Sequence, residues 1–302
     1  MTCRRPSFHP MIILLAILAA VGVFGGAHAA PTAVPSAAAP RFTVEVTGQG
    51  PDVILIPGLA SSAAVWDDTV KQLQGRYRLH VVQVAGFAGA PAGANAEGPV
   101  IQPTVDALDG YIRSARLKSP AVIGHSMGGL MGLMLARQHP EDVGRLMVVD
   151  SLPFYAMVFS PAATVEAIRP QAAAMRDRTV NATPEAWTAM ETAMMARLVK
   201  SPGGLKAATA ATIASDRSVV GRALYDDLTT DLRGELAAIK TPMTMLYPWD
   251  PAIAPQAAFE QLYTGAYAPM TQAKVKRIDG SYHFIMLDQP AAFAFEVESF
   301  LK

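Results

Sequence analysis

One cysteine in 302 residues, Cys3, leaves little room for sulfur chemistry. It precedes the apolar stretch near the N-terminus, where a lipid-attachment cysteine would follow such a stretch. If the leader described below is removed, no cysteine remains. That excludes a thiolate nucleophile, a cysteine-held metal and a disulfide. Neither sign of charge is in excess, with 25 Lys plus Arg against 25 Asp plus Glu, and no long run of one sign occurs. Nucleic-acid binding, which needs a basic surface, has no support. Histidine is also scarce, with six in the whole chain, and His9 and His28 fall in the leader. No internal repeat is present.

A run long enough to cross a membrane is missing too. Residues 11–24 are apolar, but this is shorter than the roughly 20 residues a spanning helix needs, and Gly25 and Gly26 weaken any extension. With Arg4, Arg5 and His9 before it and Ala27-His28-Ala29 after it, the stretch has the layout of an export signal cleaved after Ala29. The expectation is a periplasmic or secreted protein with no stable membrane anchor. Residues 30–40, APTAVPSAAAP, form a flexible Ala/Pro tether. Residues 41–302 then suffice for one large domain with a substantial core.

Within that domain, short apolar runs alternate with helical periodicity. Residues 41–46 read as an edge strand, and 53–56, 79–84, 121–123, 146–149, 244–247 and 274–278 as further strands. Helices are expected over 63–73, from about 104 to 116, over 255–263 and over 291–301. This order implies an α/β fold with a mostly parallel sheet covered on both faces. Residues 151–240 break the alternation. They are rich in Ala and Met, helical in pattern and without a strand, which predicts a helical cap over about 152–238 at the sheet's carboxyl edge, where ligands of open parallel sheets bind.

The chemistry concentrates in AVIGHSMGGLMGLMLARQHP, residues 121–140. Gly124-His125-Ser126-Met127-Gly128 is a G-x-S-x-G sequence with a strand before it and a helix after it. Glycines relieve crowding in so sharp a turn, and the serine hydroxyl stands exposed at the sheet edge. A serine nucleophile needs a base. His80 lies beside a strand start, His125 is inside the turn itself, and His139 ends the following helix. His283 remains, in a loop just after the last strand, and neutral imidazole can accept a proton near pH 7. Two carboxylates could orient it. Asp250 follows the penultimate strand, held between Trp249 and Pro251. Asp150 ends the strand after the serine helix, where it could instead bind free backbone N–H groups. Asp250 is the favoured acid.

Ser126 in GHSMGG, Asp250 in LYPWD and His283 in GSYHF, in that order, resemble the nucleophile, acid and base of the α/β-hydrolase superfamily. The resemblance runs from DVILIPG to the terminal helix. It implies an α/β-hydrolase fold with a helical cap, and a serine hydrolase needing no metal and no cofactor. It also implies an oxyanion hole of two backbone amides, one from Met127 and the other from Leu59, with Ala60 as the alternative. Many members carry His-Gly in that second loop, where this chain has Pro57-Gly58. Phe154, Tyr155, Phe159 and the cap methionines are expected to line an apolar entrance suited to a small or medium uncharged carboxylic ester. Lactonase, amidase, perhydrolase and carbon–carbon bond hydrolase activities use the same residues. A receptor that binds a hydrophobic ligand without catalysis is the alternative of a different class.

Overall fold

A computed structural model describes residues 39–302. The export signal over 1–29, Cys3 and nearly all of the 30–40 tether lie outside the described residues. A seven-stranded sheet runs in the order β1-β3-β2-β4-β5-β6-β7. Its strands are β1 (Phe42–Thr47), β2 (Asp52–Ile56), β3 (Arg78–Val84), β4 (Ala121–His125), β5 (Arg145–Val149), β6 (Met243–Trp249) and β7 (Lys274–Asp279). Only β1 is antiparallel, pairing with β3 from Phe42 opposite Val84 to Thr47 opposite Leu79, and every other pairing is parallel.

The central strands β2, β4 and β5 are almost wholly buried and mostly apolar because both faces are covered, and their side chains divide by the two-residue pleat. Ile54, Ile56, Val122, Leu146 and Val148 pack on one face with α2 (Ile101–Ser114), α3 (Met127–Gln138) and α8 (Gln256–Tyr267). Val53, Leu55, Ile123, Met147 and Val149 pack on the other with α1 (Asp67–Leu73) and α10 (Pro290–Leu301). The central helix α3 is buried from Met127 through Ala136, which is why its sequence is apolar all round rather than amphipathic.

The helix at 101–114 starts three residues earlier than the sequence suggests. No local side chain caps it. Instead the Asp226 carboxylate accepts from the amides of Val100 (2.6 Å) and Ile101 (3.1 Å), a cap supplied from 125 residues away. Pro103 is tolerated because it lies in the first turn, where its missing N–H has no intrahelical acceptor to lose. The helix expected over 255–263 continues to Tyr267, and the added turn carries Tyr267 to the Ser151 carbonyl at 2.9 Å.

Between β5 and β6 stand four helices, α4 (Val165–Val180), α5 (Pro184–Leu198), α6 (Pro202–Ile213) and α7 (Arg217–Thr229), and no strand. Three begin at caps legible in the sequence: Thr164, Thr183 and Asp216 each accept from an amide in the first turn. The short α9 (Ile285–Asp288) follows His283. Its Asp288 carboxylate accepts from the amides of Lys200, Ser201 and Tyr282 at 2.8–2.9 Å, tying the α5–α6 junction to the loop that carries His283. No described helix is long and apolar enough to cross a membrane.

Candidate active site

Ser126 sits between β4 and α3 at φ 54° and ψ −123°, a conformation that side chains rarely adopt. Its amide donates to Val149 on the neighbouring strand at 2.9 Å, and its carbonyl accepts from Gly129 (2.7 Å) and Leu130 (3.1 Å). These bonds fix the turn from both sides, so the strain is held by the surrounding structure. A Cβ at Gly124 would collide with the Gly128 carbonyl, and one at Gly128 with the carbonyls of Ile56 and Pro57. The glycines of the motif are therefore required by close backbone approach. Gly128→Ala is expected to cost about 3 kcal/mol. A calorimetric melt should record this as a fall of roughly 8 °C.

The structure brings His283 to Asp150, not to Asp250. His283 Nδ1 lies 2.6 Å from Asp150 Oδ2, and the Tyr263 hydroxyl donates to Asp150 Oδ1. Asp150 is buried at the end of β5 with φ 45°, anchored by its amide to the Leu246 carbonyl at 2.8 Å. Asp250, the acid favoured by the sequence, pairs with Lys200 Nζ at 2.6 Å and accepts from the Ala252 amide at 2.9 Å. The Lys200 ammonium, and secondarily that amide, hold the Asp250 carboxyl below its ordinary range.

Strand register gives the reason for the correction. Val149 stands opposite both His125 on β4 and Leu246 on β6. Asp150 is thus one residue past that level, beside Ser126, whereas Asp250 is four residues past it. At the rise of an extended strand the difference is about 10 Å. Because β6 outruns β5, the loop after it carries its aspartate away from His283 and toward the cap residue Lys200.

The remaining histidines lie where the elimination placed them. His80 is buried between Asp52 (2.9 Å) and the Tyr111 hydroxyl (2.6 Å), and His139 lies beside Asp109 on the surface. His125 is fully buried, with its ring 4.5 Å from that of His283 and its Nε2 donating to the His283 carbonyl at 3.1 Å. Burial, reinforced by the His283 charge, pushes the His125 pKa well below that of free imidazole. His125 is therefore a neutral prop for the His283 loop.

Ser126, His283 and Asp150 open onto one cavity of about 320 Å³ beneath the cap. Gly58, Leu59 and Ala60 form its floor beside Ser126. Met127, the first residue of α3, is buried and is not among the residues that line the cavity, and its amide has no intrahelical acceptor. Of the three aromatic residues assigned to the entrance, only Tyr155 lines the cavity. Phe154 is fully buried in the core beneath the Arg233 guanidinium, 4.6 Å from its ring centre, and Phe159 is 52% exposed outside. The segment turns through a short 3-10 helix at Tyr155–Val158, so neighbours in sequence point in different directions. Met175, Met194 and Met195 line the cavity, while Met157 packs in the core. Sequence reasoning missed two acidic residues in the wall, Glu191 and Asp227, which carry no motif around them.

Among the described residues, one group has the spacing of metal ligands: Asp109, His139 and Asp142. The Arg113 guanidinium already occupies it, bonding to Asp109 at 3.0 Å and Asp142 at 3.2 Å.

The comparisons with known proteins agree with this architecture. The chain is 27% identical over 266 residues to a pimeloyl-[acyl-carrier protein] methyl ester esterase of Vibrio atlanticus, covering 85% of this chain and 96% of that protein. Its fold is similar to that of the enol-lactonase from Burkholderia xenovorans LB400, with a TM-score of 0.71, 20% identity and coverage of 88% and 99%. It is likewise similar to a thermophilic esterase from Thermogutta terrifontis, with a TM-score of 0.72, 18% identity and coverage of 86% and 92%. With the sheet order, the strained serine turn and a family-wide match over residues 53–297 in agreement, the chain belongs to the alpha/beta hydrolase family.

Proposed function

We propose that this protein is an exported serine esterase that cleaves small or medium uncharged carboxylic esters through an acyl-enzyme. The observation that carries the reading is the His283–Asp150 pair, which shares one cavity with the strained Ser126. In this reading Ser126 Oγ attacks the ester carbonyl as His283 Nε2 takes its proton. Asp150, bonded at Nδ1, holds the imidazole in the tautomer that leaves Nε2 free and stabilises the imidazolium that forms. The amides of Met127 and Leu59 stabilise the tetrahedral oxyanion, each worth roughly 3 kcal/mol of barrier. His283 then protonates the leaving alcohol, and it activates water to release the acid.

Likeness to a methyl ester esterase along most of both chains favours an ester over an amide, and an apolar cavity favours an uncharged acyl group. The test is a panel of aryl and alkyl esters, lactones and amides on the purified protein, with a fluorophosphonate probe alongside. Ester turnover with labelling at Ser126 is expected. A folded protein that is neither labelled nor active would favour the non-catalytic receptor.

Export rests on the sequence of the first 29 residues. Mass analysis of periplasmic or secreted protein is expected to find Ala30 at the N-terminus, and a membrane-bound form retaining Met1 or Thr2 would refute it.

A further inference from the structure

Asp227 is a carboxyl group that the proposed reaction does not use. It projects from cap helix α7 into the wall of the cavity, is 7% exposed, and has no hydrogen-bond partner among the described residues. Its neighbour Asp226 is spoken for by the amides at the start of α2. Two further buried side chains of the cap, Thr179 and Thr212, also line the cavity with hydroxyls that bond to nothing among the described residues. The polar atoms of all three are not sealed in the interior but reach the cavity, where an occupant can bond to them.

We infer that Asp227, with Thr179 and Thr212, forms a recognition site under the cap for an uncharged hydrogen-bonding group, such as a hydroxyl, on the part of the substrate remote from the scissile ester. The placement of this group relative to the ester rests on Ser126 being the nucleophile.

The chemistry of the wall sets the ligand class. Burial is the largest influence on the Asp227 carboxyl and pushes it up to about 7, against the opposing pull of His283. Near neutrality the group therefore exists both protonated and ionised. A hydroxyl can accept from the first form and donate to the second, so it is matched in either state. Burial likewise pushes Glu191, in the same wall, up to about 7. An acyl chain ending in a carboxylate would meet two groups of its own kind. An ammonium would be matched only by the ionised form of Asp227 or Glu191, whereas a hydroxyl is matched by both forms. Arg197 also lines the cavity, but it is exposed.

The test is binding to the Ser126→Ala protein, which separates recognition from turnover. Calorimetry would compare methyl esters of straight-chain acids, four to eight carbons long, with their ω-hydroxy and ω-amino counterparts. The ω-hydroxy ester is expected to bind about tenfold more tightly than the alkyl ester at one or more lengths. Adding Asp227→Leu should bring that ratio to about one, whereas Asp227→Asn, which keeps a donor and an acceptor, should preserve it. Equal binding of the alkyl and hydroxy series at every length would overturn the inference. So would a preference that survives Asp227→Leu, or a stronger preference for the amine. Turnover of the same esters by the unsubstituted protein tests the esterase reading separately. Selective binding without turnover would refute the reaction and leave the recognition site standing.

Discussion

Ser126→Ala is expected to lower ester turnover on the order of a million-fold, the loss typical of a serine nucleophile acting as a unit with its base. The fold should survive, because the turn is held by backbone bonds from Ser126 to Val149, Gly129 and Leu130, and Ser126 Oγ donates none of them. Alanine has the same difficulty with φ 54° that serine has, so the strain is unchanged. The measurement is a single-turnover assay on an activated ester, paired with a thermal melt of both proteins. A variant keeping a tenth of the activity would place the chemistry elsewhere in the cavity. A melt lowered by many degrees would mean that the hydroxyl supports the fold.

The second large effect belongs to the acid. Asp150→Asn is expected to cost roughly ten-thousand-fold in turnover, because an amide can donate to Nδ1 and favour the tautomer that leaves Nε2 protonated. Asp250→Asn, 2.6 Å from Lys200, is expected to leave turnover within a few-fold and act on stability instead. Half of the Lys200 side chain is in solvent, so the loss of stability there should be small. The Asp250 carboxyl has its pKa lowered in the fold, so this contribution is present at neutral pH and above. It fades as acid titrates the carboxyl through its folded-state value. Kinetics and melts on both variants, with one ester, distinguish the two aspartates. A dead Asp250→Asn with a near-normal Asp150→Asn would reverse the acid assignment.

Tyr263 fixes the carboxylate of Asp150 at the end of β5. Its hydroxyl donates to Oδ1 and leaves Oδ2 to His283, so the carboxylate has one orientation. The tyrosine comes from α8, which follows the very loop that carries Asp250. That segment thus orients the carboxylate that pairs with His283 without supplying it.

Local signals made much of this protein legible before any coordinates. Apolar runs placed the inner strands, because a buried parallel strand is apolar along most of its length, and alternation placed the edge strand β1. The serine turn was legible because close backbone approach permits only glycine at Gly124 and Gly128. His283 was legible because only four histidines follow the leader and the others sit at the wrong places on the sheet.

What escaped the sequence depends on how far each strand runs and which way each side chain points. Asp150 and Asp250 both follow an apolar strand. Only the register of β5 against β6 leaves one beside Ser126 and carries the other about 10 Å beyond it. Phe154, Tyr155 and Phe159 share one segment, yet a single helical turn sends them to the core, the cavity and the solvent. The α2 start was misread because its cap, Asp226, comes from the cap domain. Asp227, the next residue, faces the cavity for a related reason: consecutive positions on a helix differ by about 100°, and only packing decides which faces what. Sequence periodicity therefore determined the elements and the glycine motif marked the serine turn, while the partner of His283 and the lining of the cavity were decided by contacts between residues far apart in the chain.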